Sequence, residues 1–304
     1  MAAGDPRIGQ LIGERYQLME KIGEGGQCVV YNAFDVIDRD RVAVKILKEE
    51  MSNDPEVRER MFREARAMTN LSNTAALRVL DQKWTPEGAL CLVTELLIGR
   101  DLENYLDTIE ATGIRLHPNA MFRLLDPIVS TLEQAHDRDI VHRDIKPANI
   151  FIIDAAQGGG VRLLDFGFAK FTHLSGLTGA NMIAGSPRYI APETWLGKTD
   201  VGPSVDEYAF AAVIFRCLTG APPFDIADVI NLLRAVTKGE RPKLTTLRPE
   251  LPVGVDDWAQ RALAVNPEER YGSVLAMWTA LHAILKPTML PPAPPPPPSN
   301  PPYS

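Results

Sequence analysis

The spacing of hydrophobic and polar residues changes between Glu95 and Asp101. From about Tyr16 to Glu95, short stretches alternate apolar and polar positions, as half-buried strands do, and one helical stretch interrupts them. Beyond Asp101, apolar residues recur with helical spacing up to about Leu285. The pattern predicts two lobes, a small one rich in strands and a larger one built mainly of helices.

The helix of the first lobe carries a charged residue on its apolar face. Asp54 supplies an acidic N-cap and Pro55 the first helical position, and the pattern continues to about Leu71. One stripe of this helix is apolar and comprises Val57, Met61, Ala65 and Met68. Glu64 lies within that stripe, where a carboxylate is costly unless a cation or hydrogen bonds compensate it. We expect Lys45, in the alternating strand 42–47, to be that cation; the alternative is that Glu64 reaches solvent at the helix edge.

A glycine-rich turn precedes this strand. The stretch from Ile22 to Tyr31 predicts a strand, a flexible turn and a second strand. Its glycines, Gly23, Gly25 and Gly26, would let backbone amides approach a phosphate closely. Taken alone, the same residues are equally typical of an ordinary tight turn. The order of the motifs that follow favours the phosphate interpretation.

The overall composition restricts the classes of function. A hydrophobic content of 45% over 304 residues supports a sizeable core. The net charge of −7 and the pI near 5.4 argue against a nucleic-acid-binding protein, which needs clustered Lys and Arg. No stretch approaches the roughly 18 apolar residues of a membrane helix, and the start lacks the basic and apolar regions of an export signal.

The cysteines and histidines form no recognisable disulfide or metal pattern. Cys28, Cys91 and Cys217 are odd in number and widely scattered, which fits neither a disulfide framework nor a zinc site. We therefore expect a reducing, cytoplasmic location. The histidines without metal-ligand spacing are His117, His136, His173 and His282.

The end of the chain, residues 286–304, is rich in proline. Ten of the 25 prolines lie between Pro287 and Pro302, and proline lacks the backbone donor that helix and sheet interiors require. The composition predicts a disordered or polyproline II tail. Such a tail serves either as a spacer or as a ligand for a partner with a proline-reading domain.

Two motifs in the second lobe predict a phosphate and metal site. The run His142-Arg143-Asp144-Ile145-Lys146-Pro147-Ala148-Asn149 is followed, after a short hydrophobic hairpin, by Asp165-Phe166-Gly167. This pair matches the second half of the protein-kinase signature, in which Asp144 is the candidate base. Asn149 and Asp165 are then the candidate magnesium ligands.

With the glycine turn, Lys45, Glu64 and these motifs in order, the chain resembles the eukaryotic-like Ser/Thr protein kinases, particularly bacterial ones, over about 16–285. The segment 185–193 looks like the one that ends in Ala-Pro-Glu in this family. Asp206 resembles the acid that opens the family's central buried helix, and Arg270 resembles the arginine that pairs with the terminal Glu of that segment, here Glu193.

The resemblance implies an α+β, bilobal fold with ATP bound between the lobes. It implies an N-terminal extension at 1–15, a small lobe at 16–94, a hinge at 95–97 and a larger helical lobe at 98–285. The residues that would surround ATP are Ile22, Gly23, Glu24, Gly25, Gly26, Gln27, Cys28, Val30, Ala43, Lys45, Thr94 as gatekeeper, Glu95, Leu97 and Phe151. For the apolar members, plain core packing explains the sequence equally well.

The resemblance also implies a role for each matched polar residue in transferring the γ-phosphate of ATP to protein Ser or Thr. Asp144 would accept or orient the hydroxyl proton, and Lys146 would contact the γ-phosphate. Asn149 and Asp165 would hold Mg²⁺, for which Mn²⁺ could substitute. Lys45 would position the α- and β-phosphates, and Glu64 would fix Lys45.

Regulation by phosphorylation is a further expectation. In this family an arginine in the place of Arg143 commonly binds a phosphorylated residue of the activation loop, through charge-assisted hydrogen bonds. The candidate sites of autophosphorylation are Thr172, Ser175 and Thr178.

Three departures from the family pattern remove no reacting group. Cys28 replaces the third glycine of the turn, either as a small apolar residue or as a low-pKa redox thiol. Ser186 replaces a threonine and Ala211 a glycine. Two other functions are weighed against a kinase: a nucleotide-binding pseudokinase scaffold, although the four expected polar positions survive, and a small-molecule phosphotransferase, although the segment ending in Ala-Pro-Glu is present.

Overall fold

A computed structural model describes residues 5–52, 54–166, 187–198 and 201–289. The strands are β1 (Leu11–Ile12), β2 (Tyr16–Glu24), β3 (Cys28–Asp35), β4 (Asp40–Leu47), β5 (Val79–Trp84), β6 (Leu90–Glu95), β7 (Gly99–Asp101), β8 (Ile150–Ile153) and β9 (Val161–Leu163). The helices are α1 (Glu49–Ser52), α2 (Pro55–Asn70), α3 (Leu102–Glu110), α4 (Pro118–His136), α5 (Pro192–Trp195), α6 (Ser204–Thr219), α7 (Val229–Lys238), α8 (Leu244–Leu247), α9 (Gly254–Ala262) and α10 (Val274–Met289). The arrangement is the predicted one, a strand-rich lobe followed by a helical lobe.

The small lobe is a six-stranded antiparallel sheet. Its strand order is β1-β2-β3-β4-β6-β5. Because side chains alternate across a strand, one face buries a cluster that includes Leu18, Ala33 and Val44. The other face contributes Leu47 and Leu92 to a second core, which α2 covers.

Helix α2 is positioned as its sequence pattern predicts. The Asp54 carboxylate accepts a hydrogen bond from the backbone N–H of Glu56 at 2.8 Å and so caps the helix. The predicted stripe is buried, and it comprises Val57, Met61, Ala65 and Met68. These side chains belong to the same continuous core as the helices of the second lobe. The helix that carries Glu64 is therefore fixed against both lobes.

The large lobe is built around α6. Every side chain from Val205 to Thr219 is buried, including the charged ones, and α4, α9 and α10 pack against this helix. The helix ends at Gly220, whose φ of +82° favours glycine. A Cβ there would also come within 2.6 Å of the Arg115 side chain. The central helix thus ends at a position that tolerates no larger residue without rearrangement.

Both ends of the folded region extend past the predicted domain limits of 16 and 285. Strand β1 pairs with β2, and the Tyr31 hydroxyl donates to the Asp5 carboxylate at 2.8 Å, so residues 5–15 lie on the sheet. Helix α10 continues to Met289 and includes Pro287, which was predicted to lie in the tail. Residues 290–304 lie outside the described residues. Among those that are described, no helix is both long and apolar enough to span a membrane.

A buried ion pair joins α5 to the end of the large lobe. Arg270 donates from two nitrogens to both carboxylate oxygens of Glu193, at 2.8 and 2.7 Å. Their side chains are 0% and 4% exposed. Arg270 also donates to the backbone carbonyls of Ser204 and Ala264. The expected partnership of Glu193 with Arg270 is therefore present, and its oxygens and nitrogens are satisfied within the core.

We predict that Arg270→Met destabilises the protein by about 3–5 kcal/mol, because it leaves the Glu193 carboxylate buried without its cation. Urea unfolding followed by circular dichroism measures the change. The matched control is Arg63→Met, since Arg63 pairs with Glu59 at 3.7 Å on the exposed face of α2; it should cost no more than about 0.5 kcal/mol. Equal stabilities of the two variants would contradict the prediction.

Candidate active site

The loop that contains Asp144 is held in place by the carboxylate of Asp206. Asp206 of α6 is fully buried and accepts hydrogen bonds from the backbone N–H groups of His142 and Arg143, both at 2.7 Å. His136 donates to the same carboxylate at 2.9 Å. Arg143 has a φ of +65°, a conformation that non-glycine residues rarely adopt, so the loop needs this support.

Two polar side chains of the loop converge on Asp144. The Lys146 ammonium lies 3.0 Å from one carboxylate oxygen of Asp144. The Asn149 amide nitrogen donates to that same oxygen at 2.8 Å and to the Asp144 backbone carbonyl at 2.7 Å. Because both amide hydrogens of Asn149 are used in this way, the amide oxygen is the atom left for a metal ion. The run 142–149 therefore forms one connected polar site.

The hairpin β8–β9 connects the Asp144 loop to Asp165. The backbone N–H of Leu164 donates to the carbonyl of Asn149 at 2.8 Å, and the His142 ring donates to the carbonyl of Leu164 at 2.8 Å. The neighbouring Phe166 is buried, with its ring 4.7 Å from that of His142. Burial lowers the pKa of His142, which agrees with a neutral ring that donates from one nitrogen and accepts at the other. Asp165 is thus tied to the Asp144 loop through its preceding residue.

Lys45 links the two lobes. Its ammonium lies 3.2 Å from the Glu64 carboxylate and 2.6 Å from the Asp165 carboxylate. The Glu64 side chain is only 13% exposed, so it does not reach solvent at the helix edge. The cation predicted from the periodicity of α2 is therefore the cation found. Asp165 itself has a φ of +42°.

The three groups shift each other's pKa. Burial raises the pKa of Glu64 to about 7, and Lys45 only partly offsets this. Burial also acts on Asp165, but the nearby Lys45 ammonium outweighs it and lowers the pKa of Asp165 to about 2. For Lys45, the two carboxylates outweigh burial and raise the pKa. Lys45 therefore stays charged, and Asp165 stays ionised to a lower pH than Glu64 does.

The glycine turn joins β2 and β3. The Gly25 N–H donates to the carbonyl of Cys28 at 2.8 Å, which closes the turn. A Cβ at Gly23 would lie no nearer than 3.8 Å to Val30, and one at Gly26 would meet nothing within 4 Å. Neither glycine has a positive φ. Among the described residues, packing does not explain these glycines.

The predicted apolar walls differ in burial. Ala43 and Thr94 are buried and face each other as register partners of β4 and β6. Ile22 is 47% exposed, and Val30 and Phe151 are only partly buried. Core packing therefore accounts for the first two residues but not for the other three, which are available to a bound ring.

Cys28 lies at the start of β3 and packs against the core. Burial raises the pKa of its thiol to about 11. A reactive cysteine needs a lowered pKa, so the raised pKa disfavours the redox interpretation of Cys28, and its packing fits the small apolar one.

The three candidate phosphosites, Thr172, Ser175 and Thr178, lie outside the described residues. So do Gly167, the end of the Asp165-Phe166-Gly167 motif, and Ser186. Arg143 is described, and its buried Nε has no hydrogen-bond partner in the described part of the chain.

Two further features near the site have no signal in the sequence. The hinge residue Glu95 accepts hydrogen bonds from the Arg162 guanidinium, at 2.8 and 3.3 Å, and from the backbone N–H of Arg78 at 2.9 Å. An open groove of about 560 Å³ lies beside Phe151. Its other lining residues are Gly99, Arg100, Asp101, Asn104, Asp107 and Thr108. Both features depend on contacts between residues far apart in the chain, which no local pattern reveals.

The residues brought together suit a metal-bound nucleotide. Carboxylate and amide oxygens are the protein ligands that Mg²⁺ prefers, and Asp165 and Asn149 supply one of each. Lys45 and Lys146 supply cations on either side of them. Among the described residues no cluster of three or more His, Cys, Asp or Glu could hold a metal alone.

Comparisons with known proteins agree with this arrangement. The chain is 34% identical over 283 residues to the serine/threonine-protein kinase PknH of Mycobacterium bovis, which covers 93% of this chain and 46% of PknH. It is 34% identical over 264 residues to PrkC of Bacillus subtilis, covering 87% and 39%. It is 32% identical over 288 residues to PknL of Mycobacterium tuberculosis, covering 94% and 70%. The chain thus spans less than half the length of PknH and PrkC.

A solved structure shares the fold. The PknI kinase domain of Mycobacterium tuberculosis superposes with a TM-score of 0.70 at 26% identity, covering 91% of this chain and 98% of that one. Residues 16–282 match the family described as the protein kinase domain. The chain belongs to the protein kinase family, and its named relatives are Ser/Thr protein kinases.

Proposed function

We propose that this chain transfers the γ-phosphate of ATP to Ser and Thr hydroxyls of proteins, in the cytoplasm and with Mg²⁺ as cofactor. The observation that carries the proposal is that Lys45 contacts Asp165 while Leu164 ties Asp165 to the Asp144 loop. These contacts support the proposal because they bring a cation, a carboxylate suited to a metal ion and a candidate base into one compact site. Free thiols at all three cysteines support the cytoplasmic location.

In the proposed mechanism, this chain supplies positioning and charge. Asp144 accepts the hydroxyl proton of the acceptor, and its orientation is fixed by Lys146 and Asn149. Lys146 stabilises charge on the transferred phosphoryl group, and Lys45 holds the α- and β-phosphates. Mg²⁺ bound by Asn149 and Asp165 would neutralise phosphate charge. Because little covalent chemistry is asked of the protein, the fixed geometry accounts for most of the catalysis.

The regulation we propose is autophosphorylation of the segment that contains Thr172, Ser175 and Thr178. The buried Nε of Arg143, which has no partner in the described part of the chain, supports this because a guanidinium binds phosphate oxygens through several N–H groups. We further propose that residues 290–304 act as a spacer or bind a proline-reading domain, on composition alone.

We predict that Asp144→Asn lowers phosphate transfer to dephosphorylated casein by a factor of about 10²–10⁴, since the general base is lost. ATP binding, measured by calorimetry with Mg²⁺, should stay within a few fold of the wild type. The control is Asp139→Asn, an exposed residue with a φ of +57° that Asn accepts. Transfer by the wild type that is as low as that of Asp144→Asn would favour the pseudokinase scaffold.

We predict that Glu64→Gln lowers kcat/KM for ATP by about tenfold to a hundredfold, because Lys45 loses the carboxylate that positions it. Steady-state kinetics at saturating acceptor measure this. Glu59→Gln, on the exposed face of the same helix, is the matched control. If both variants keep wild-type kinetics, Glu64 has no part in ATP use.

We predict that replacing Thr172, Ser175 and Thr178 by alanine lowers transfer to casein and removes most self-phosphorylation, because no phosphate remains for Arg143 to bind. Mass spectrometry locates the phosphates, and phosphatase treatment of the wild type should lower its activity in the same way. In an Arg143→Gln background the phosphatase should change nothing further. Unaltered activity of the triple variant would reject this form of regulation.

A further inference from the structure

The glycine turn between β2 and β3 has little packing of its own. The hydrogen bond from the Gly25 N–H to the Cys28 carbonyl closes the turn but does not connect it to other elements. A Cβ at Gly26 would meet nothing within 4 Å, and one at Gly25 would meet only the Cys28 carbonyl, at 3.8 Å. Because glycine has no side chain that could pack, the position of the turn depends on contacts from neighbouring strands.

Lys48, which directly follows β4, contacts the turn on both of its sides. Its backbone N–H donates to the carbonyl of Gln27 at 2.8 Å. Its ammonium lies 2.7 Å from the carboxylate of Glu24. Glu24 ends β2, and Gln27 directly precedes β3. A single residue at the end of β4 therefore holds both the entry and the exit of the turn.

The carboxylate of Glu24 has a second partner, which plays a different part. One oxygen contacts Lys48, and the other accepts a hydrogen bond from Lys21. Lys21 lies in β2, three residues before Glu24, so that pair stays together when the turn moves. Only the pair with Lys48 connects the turn to β4, the strand that carries Lys45. Hydrogen bonds from Lys21 and Lys48 lower the pKa of Glu24 to about 2, so the carboxylate is charged at neutral pH.

The Lys48–Glu24 ion pair lies on the opposite face of the sheet from Lys45. In the strand register, Lys45 is opposite Val30. Glu24 is opposite Val29. Side chains of opposed residues share a face, and neighbours along a strand point to different faces. The Glu24 carboxylate therefore does not face the proposed phosphate site, and any influence on a nucleotide must act through the position of the turn.

We propose that Lys48 and Glu24 are positioning residues for the nucleotide: their ion pair holds the glycine turn in place and slows the release of a nucleotide bound between the turn and Lys45. The proposal rests on the nucleotide binding included in the proposed function. The side chains of Lys48 and Glu24 are 25% and 44% exposed, so water and salt weaken their attraction. The pair therefore slows the opening of the turn without preventing it.

The main test compares Lys48→Met with the wild type and uses Lys21→Met as the matched control. Lys48→Met removes the ammonium but keeps the backbone bond to Gln27. Lys21→Met removes an equal charge from the same carboxylate and leaves the contact with β4 intact. Stopped-flow fluorescence measures dissociation of the ADP analogue mant-ADP in the presence of Mg²⁺. Lys48→Met should release it about two- to fivefold faster, the range expected for an exposed ion pair, and Lys21→Met should release it at the wild-type rate.

Salt and a double-mutant cycle separate the ion pair from a general structural effect. The difference between Lys48→Met and the wild type should disappear in about 1 M NaCl, where charges are screened beyond about 3 Å. Glu24→Gln should speed release as Lys48→Met does, and the double variant should be no faster than either single variant, since each removes the same pair. Lys48→Arg keeps the charge and should keep the slow release.

The proposal is overturned if Lys48→Met, folded as thermal melting shows, releases mant-ADP at the wild-type rate. It is also overturned if Lys21→Met is as fast as Lys48→Met, or if the faster release persists in 1 M NaCl. Should Lys48→Met fail to fold, Glu24→Gln and its salt dependence decide.

Failure of the proposed function is distinguishable from these results. A wild type that binds no mant-ADP overturns the proposed function together with this proposal, and it does so before any variant is made. A wild type that binds mant-ADP but phosphorylates no casein overturns phosphate transfer alone, and the dissociation rates of the variants still decide the role of Lys48.

Discussion

The buried carboxylate of Asp206 determines the shape of the site. It accepts two consecutive backbone N–H groups, those of His142 and Arg143, and so holds a loop that contains a strained residue. Asp206 itself lies on α6, the most deeply buried helix of the large lobe. The position of Asp144 therefore depends on the packing of the core. Helix α6 both stabilises the large lobe and, through Asp206, sets the geometry of the Asp144 loop.

Besides the hydrophobic core that they share, the two lobes are joined by a few backbone hydrogen bonds. The N–H of Leu163 donates to the carbonyl of Ala75 at 2.7 Å, and the N–H of Leu77 donates to the carbonyl of Leu163 at 2.9 Å. These bonds hold the strand that leads to Asp165 against the segment that follows α2. The hinge is fastened separately by Glu95 and Arg162. Lys45 thus faces Asp165 across a junction that is hydrogen-bonded on both sides.

The spacing of residues along the chain was enough to predict contacts that follow from the periodicity of a single helix or strand. The partner of Glu64 followed from helical periodicity, because a charge on an apolar stripe must be compensated. The ion cluster of Arg216 in α6 with Glu103 and Glu110 in α3 could not be predicted, since its carboxylates and its cation come from helices about a hundred residues apart in the chain. Strand β1 is a related case, because its two residues are held by pairing with β2 and not by a pattern of their own.

Charge balance explains why this junction is suited to a cation-bound ligand. Glu64 and Asp165 share Lys45, which lies closer to Asp165 at 2.6 Å than to Glu64 at 3.2 Å. The raised pKa of Glu64, about 7, reflects a buried carboxylate that receives only part of the compensation it needs. A divalent cation bound by Asp165 would replace Lys45 as its main counter-charge and leave the ammonium to Glu64 and to phosphate oxygens. Two carboxylates share one ammonium here, so Glu64 is paired only weakly. The negative charge that is left over favours the binding of a metal ion together with a nucleotide.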